Sequence, residues 1–218
     1  INTSGGITSG DEYLYKLNLN NSKISISTQA AEKIYSGLGK CANLKIDINI
    51  AKSNILWLPQ EIILFNNCNF ARKINLHLDT FSNLVMCETT IFGRTSMQET
   101  VERGYFSDLW KIYLDEKILH AEAINFSGEI KEFITNKTNL NDKYAVNTIL
   151  IIGKEFIKKA ELLDINKYEN KNVKIEISQW DNKILIRSIG KNSYYLKFAI
   201  AKILTYFLGD NLPNVWNS

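Results

Sequence analysis

Leu44-Lys-Ile-Asp-Ile-Asn-Ile50 alternates apolar and polar side chains without a break. Successive side chains of a β-strand point to opposite faces, so Leu44, Ile46, Ile48 and Ile50 share one face and Lys45, Asp47 and Asn49 the other. The same period runs outward in both directions. Upstream, Tyr13, Tyr15, Leu17 and Leu19 share a face, and Ile24 and Ile26 resume the alternation after Asn20-Asn21-Ser22. That pattern predicts a hairpin of two half-buried strands over 11–27. Downstream, Ile55 to Phe65 reads as a longer apolar strand interrupted at Pro59, whose missing N–H implies an edge or a bulge. Phe70, Arg72, Ile74, Leu76 and Leu78 follow beyond Asn66-Asn67. The first half therefore reads as a succession of antiparallel strands.

Further strands are expected over 83–92, 104–114 and 117–126, with Asp115-Glu116 as a tight turn between the last two. A polar loop begins near Asn136, and an apolar run from Tyr144 to Ile152 ends at Gly153. Phe156, Ile157, Ala160 and Leu163 then recur at helical spacing. Val173 to Trp180 and Lys183 to Ile189 alternate about Asp181-Asn182, a two-residue hairpin signal. Ser193 is placed to cap a final helix running to Leu208, with Gly209 just past its end. Apolar residues occupy more than one stripe of that helix. Burial against a sheet is the commoner cause of so broad a face, and spare surface for a partner is the other. No internal repeat is read. The expected fold is mainly β with a few α-helices: a single domain over 1–218, built of antiparallel strands in packed sheets, with a helix near the C-terminus.

A chain of 218 residues, 45% apolar and 22% charged, can bury a sizeable core. Its 26 basic and 23 acidic residues are interspersed and leave a net charge of +3. No basic stripe suited to a phosphate backbone results, so nucleic acid is not expected as a partner. Cys41, Cys68 and Cys87 lack CxxC spacing and leave one over, which argues against a disulfide framework and a structural zinc site and fits a reducing cytoplasm. The most apolar window, 194–208, contains Lys197 and Lys202 and falls short of the roughly 20 apolar residues a membrane span needs. The chain opens at Ile1 without an initiator Met or a leader, and is expected to continue a longer chain whose N-terminal segment is missing here.

Chemistry is sparse. Two histidines, His77 and His120, and no serine in a Gly-x-Ser-x-Gly setting make a serine-type triad or a histidine-rich metal site hard to assemble. Gly5-Gly-Ile-Thr-Ser-Gly-Asp11 lacks the Lys-Ser/Thr ending of a phosphate loop and precedes a strand, so it reads as a turn. Glu88 and Glu122 sit in otherwise apolar strands. Either each points inward, where a carboxylate survives only when paired, hydrated or bound to a cation, or each faces solvent on an edge strand. Glu61 faces the same choice. Cys87 and Glu88 cannot readily share a site, because neighbours on a strand point to opposite faces.

Several blocks in order carry a resemblance: Gly5-Gly6 with Gly10-Asp11, Thr28-Gln-Ala-Ala-Glu-Lys-Ile-Tyr35, Trp57-Leu-Pro-Gln-Glu-Ile-Ile-Leu-Phe65, Gly93-Arg94 followed by Glu99, and Leu212-Pro-Asn-Val-Trp216. In order and spacing they resemble the urease accessory protein family UreD, also called UreH. Departures are Ser9 where a further Gly is usual, Ala123 where Arg tends to follow the Glu, and Asn214 where Arg is common.

The resemblance implies a non-enzymatic scaffold that binds the urease apoprotein and recruits UreF and, through it, the GTPase UreG. It also implies help in delivering nickel to urease, through an internal polar tunnel and with no tightly bound cofactor. By motif position it places Asp11, Glu88 and Glu122 among the interior carboxylates of that route. The broad helix and the terminal motif offer Tyr195, Phe198, Phe207 and Trp216 as partner contacts. The rivals are a β-rich hydrolase using two of Glu61, Glu88, Glu99 and Glu122 as acid and base, and an interaction module unrelated to urease.

Overall fold

A computed structural model describes residues 5–37, 39–93 and 99–216. Thirteen strands dominate it: β1 (Glu12–Asn20), β2 (Lys23–Ile26), β3 (Glu32–Ile34), β4 (Ala42–Ala51), β5 (Asn54–Trp57), β6 (Ile62–Leu64), β7 (Asn69–Leu78), β8 (Asn83–Phe92), β9 (Arg103–Leu114), β10 (Lys117–Glu129), β11 (Ala145–Ile152), β12 (Val173–Trp180) and β13 (Lys183–Gly190). Helices α1 (Ile130–Thr135), α2 (Lys154–Glu161) and α3 (Ser193–Leu208) complete the chain. The mainly β class with a helix near the C-terminus is what the sequence predicts.

The pairing in the first half is not. β1, β4, β7 and β9 lie side by side in parallel, and β10 closes this five-stranded first sheet in antiparallel fashion. β2, β5 and β8 are likewise parallel, as are β3, β6 and β8. The expected hairpin over 11–27 is therefore absent, since β1 joins the first sheet and β2 the second. Asn21, at φ 49°, turns the chain around a corner between sheets, and Lys52, at φ 48°, turns the next one. Successive coils stack with one strand in the first sheet and one or two in the second.

That stacking is the repeat the sequence reading does not find. Ser22 N–H donates to Ser53 Oγ 31 residues on, and Ser53 N–H to Ser82 Oγ 29 residues further. Asn49 donates back to Asn18 and Asn83 back to Asn54, 31 and 29 residues earlier. Strand-and-corner units of about this length are the mark of a solenoid, in which each coil buries its apolar face against the next.

The antiparallel expectation holds in the second half. β8, β11, β13 and β12 pair antiparallel to complete the second sheet, and β9 and β10 form a hairpin. Both two-residue turns, Asp115-Glu116 and Asp181-Asn182, have positive φ at both positions, as the hairpin-favoured turn requires. The break at Pro59 also falls as expected, between β5 and β6.

The first sheet packs on the second through Leu44, Ile46, Ile74, Leu76, Phe106, Leu84, Met86 and Leu150. The other face of the second sheet, through Val85, Cys87, Ile149 and Ile186, packs on Leu196, Ile200, Ile203 and Phe207 of α3. β8 lies between the two layers and is covered on both faces, which is why every residue after Asn83 is buried, Glu88, Thr89 and Thr90 included. The cap of α3 is Asn192, one residue before the expected Ser193: its Oδ1 accepts from Tyr195 N–H at 3.1 Å. Gly209 ends the helix at φ 55°.

Candidate functional site

The space between the sheets is not wholly apolar. On β7, Arg72 occupies the stripe that Phe70, Ile74 and Leu76 make inward-facing, and Asp108 on β9 does the same between Phe106 and Trp110. The parallel register sets Arg72 beside Asp108. Arg72 Nε and Nη2 donate to the two Asp108 oxygens at 2.9 and 2.6 Å. From the facing sheet, Glu88 of β8 accepts Arg72 Nη1 at 2.7 Å and Trp57 Nε1 at 2.6 Å. All three charged side chains are 3% exposed or less. Burial pushes the Glu88 carboxyl up, with Arg72 and the Trp57 donor opposing it, and the two acids hold Arg72 charged. One buried cation thus serves two carboxylates.

Polar character extends to both sides of this cluster. Glu32, on β3, is half-buried in the field of Arg72, and burial raises its carboxyl and, with Glu32 nearby, the Tyr15 hydroxyl. In the other direction, β9 and β10 set Trp110 directly opposite Glu122 on the inner face. Glu122 accepts Arg187 Nη2 of β13 at 2.7 Å and lies 3.4 Å from His120 Nε2. Burial raises its carboxyl, but His120 and Arg187 outweigh that and hold it below the usual carboxylate value. At this seam between the sheets Lys183 Nζ also donates to Leu119 O at 2.6 Å and lies over the Trp180 ring.

Of the interior carboxylates expected, Glu88 is buried and Glu122 is nearly so; β10 is an edge strand, yet the Glu122 side chain turns in and is 11% exposed. Asp11 belongs elsewhere. Its carboxylate accepts Thr8 N–H at 2.9 Å in the loop before β1, a solvent-exposed contact that closes a turn. Arg94 of the Gly93-Arg94 motif lies outside the described residues. Cys87 faces α3, away from Glu88, and Asn147 Nδ2 contacts its sulfur at 3.2 Å. His77 stacks on Tyr113 with ring centroids 4.6 Å apart, on the outer side of the first sheet.

The four proposed partner contacts divide. Tyr195 and Phe198 are exposed, with Lys202 over the Phe198 ring at 4.2 Å. Phe207 and Trp216 are not available to a partner: both are buried in the layer between the second sheet and α3, and Trp216 Nε1 donates to Leu58 O at 3.0 Å. The terminal Leu-Pro-x-x-Trp motif and the Trp57–Phe65 block are thus two sides of one contact. The Thr28–Tyr35 block joins them, since Thr28 Oγ1 accepts Gln60 N–H at 2.9 Å and β3 pairs with β6. Three of the four carboxylates suggested as a hydrolytic pair have a cation instead: Glu61 lies 3.6 Å from Lys197, Glu88 binds Arg72, and Glu122 binds Arg187.

Residues 1–217 match the family model described as UreD urease accessory protein. The chain belongs to the UreD family. Curated UreD relatives are similar over its full length: those of Rhodopseudomonas palustris strains are 30% and 31% identical, covering 100% of this chain and 78% and 77% of their own length. The relative from Rhizobium leguminosarum bv. viciae is 30% identical over 100% of this chain and 80% of its own length. No helix among the described residues of this UreD-family chain is long and apolar enough to cross a membrane.

Proposed function

We propose that this chain serves urease maturation as a non-catalytic scaffold. It binds the urease apoprotein, engages UreF and through it UreG, and passes nickel, as cargo, along its polar interior. The observation that carries the transit reading is the set of buried charged groups from Glu88, Arg72 and Asp108 to Glu122 at the seam, set among the apolar side chains that pack the two sheets together. Carboxylate oxygens suit such a path because they hold nickel more loosely than thiolates or several imidazoles, so cargo is released rather than kept. The exposed Tyr195 and Phe198 on α3 supply an apolar contact for UreF. Its working place is the cytoplasm.

Co-expression with the cognate urease subunits, UreF and UreG, followed by pull-down and size exclusion, tests the scaffold. A folded chain that captures neither urease nor UreF refutes it. Glu88→Gln and Glu122→Gln test the path: both are expected to assemble normally and to lower the nickel content of urease. Full nickel content in both variants rules out transit by this route.

A further inference from the structure

Two interior carboxylates hold an arginine at 2.7 Å, but the two arginines differ. Arg72 is 3% exposed and bound by three hydrogen bonds to two acids, whereas Arg187 makes one such bond and is 57% exposed. Withdrawing Arg72 would strand two buried carboxylates. Arg187 can swing into water, where its guanidinium is solvated, so only Glu122 has an exchangeable counter-charge.

Beside Glu122 lie two buried polar atoms without a hydrogen-bond partner, His120 Nε2 and Trp110 Nε1. His120 is 7% exposed, and its Nε2 is 3.4 Å from Glu122 Oε2, near yet not aligned as a hydrogen bond. Trp110 lies on the same inner face, directly across from Glu122. An imidazole nitrogen, a carboxylate oxygen and an indole N–H that can donate to a bound water together suit a partly hydrated transition-metal cation.

We propose that His120 Nε2 and Glu122 form a two-ligand binding point for a divalent transition-metal cation at the seam between the sheets, with Arg187 as the charge that the cation displaces. Resting on the transit reading above, this names the residue at which cargo pauses. Water fills the remaining ligand positions, because no group of three or more His, Cys, Asp or Glu side chains suited to a metal occurs among the described residues. Holding is accordingly weak, and Lys183 near the seam weakens it further.

Ni2+ alone, titrated into the full chain, is the probe. With only two histidines, imidazole resonances separate the candidates, and paramagnetic broadening is expected at His120 and not at His77. Calorimetry should give a loss of affinity for His120→Gln, which removes one of the two protein ligands, a gain for Arg187→Gln, and no change for His77→Gln. Circular dichroism establishes that each variant is folded. Equal affinity of wild type and His120→Gln, or broadening at His77 alone, overturns the site. Nickel content of urease matured with His120→Gln reads the transit reading separately: a chain that has lost the Ni2+ site yet fills urease normally keeps the binding point and refutes transit.

Discussion

Arg72 of the first sheet and Glu88 of the second close an ion pair of 2.7 Å across the interior, with Asp108 sharing the same guanidinium. Removing the cation leaves two carboxylates buried without compensation, a change that costs about 3–5 kcal/mol. Arg72→Met should lower the unfolding free energy measured in urea by that much. Trp57→Phe, which removes one donor to a charged acceptor, should cost less, about 1.5–3 kcal/mol. Equal midpoints for wild type and Arg72→Met would mean that the cluster does not tie the sheets together.

The seam should respond to acid. A carboxyl held below its ordinary value in the folded state stabilises above its unfolded pKa, about 4.3 for Glu. That contribution disappears as pH falls through the folded value. Wild type should therefore exceed Glu122→Gln in stability at about pH 7, and the gap should narrow as pH falls below about 4.3 toward the lower folded value. A gap that stays constant with pH would show that the carboxyl is not held low.

Ser53 joins three coils: its Oγ receives Ser22 N–H and donates to Ala51 O, and its N–H donates to Ser82 Oγ. Ser53→Ala strands a backbone donor at a buried corner and should cost about 1–3 kcal/mol by chemical denaturation. An unchanged midpoint would mean the corner re-forms without it.

At the C-terminus, Trp216→Ala should cost about 3–5 kcal/mol, as truncation of a buried aromatic does. Phe198→Ala, at 59% exposed, should leave the melting curve in place and weaken UreF capture. The reverse pattern would exchange their roles. Deleting Leu212 to Ser218 cannot stand in for this test, because it removes part of the core.

Much of this was legible in the chain. Period-two alternation located β4, β9, β12 and β13, because it reports which face each side chain takes. It does not report which strand lies beside which. Asn20-Asn21-Ser22 has the length and composition of a hairpin turn, yet it turns a corner between sheets, and both geometries accept Asn at positive φ. The serines at 22, 53 and 82, each at such a corner, were the signal for the stacked coils. Arg72 and Asp108 also stood in plain view as charges on apolar stripes. Their pairing needed the register of β7 on β9, which no local pattern supplies. Glu88 and Glu122 were found because a lone acid between apolar neighbours is locally odd. His120 stands two residues before Glu122 on β10, past the irregularity at Ile118/His120, so period two alone sets the pair on one face, a local signal that was open to the sequence.

The stacked coils also bear on how the chain is made. Among the described residues β1 pairs with β4, which follows it in the chain, and β4 in turn receives β7, so each later coil docks on one already present. Assembly can therefore follow translation coil by coil, with an open edge travelling toward the newest residues. The contact from Trp216 to Leu58, 158 residues apart, stays open until synthesis is finished. A truncated nascent chain would thus hold its early coils with the far side of the second sheet uncovered, a surface that quality control could recognise as unfinished.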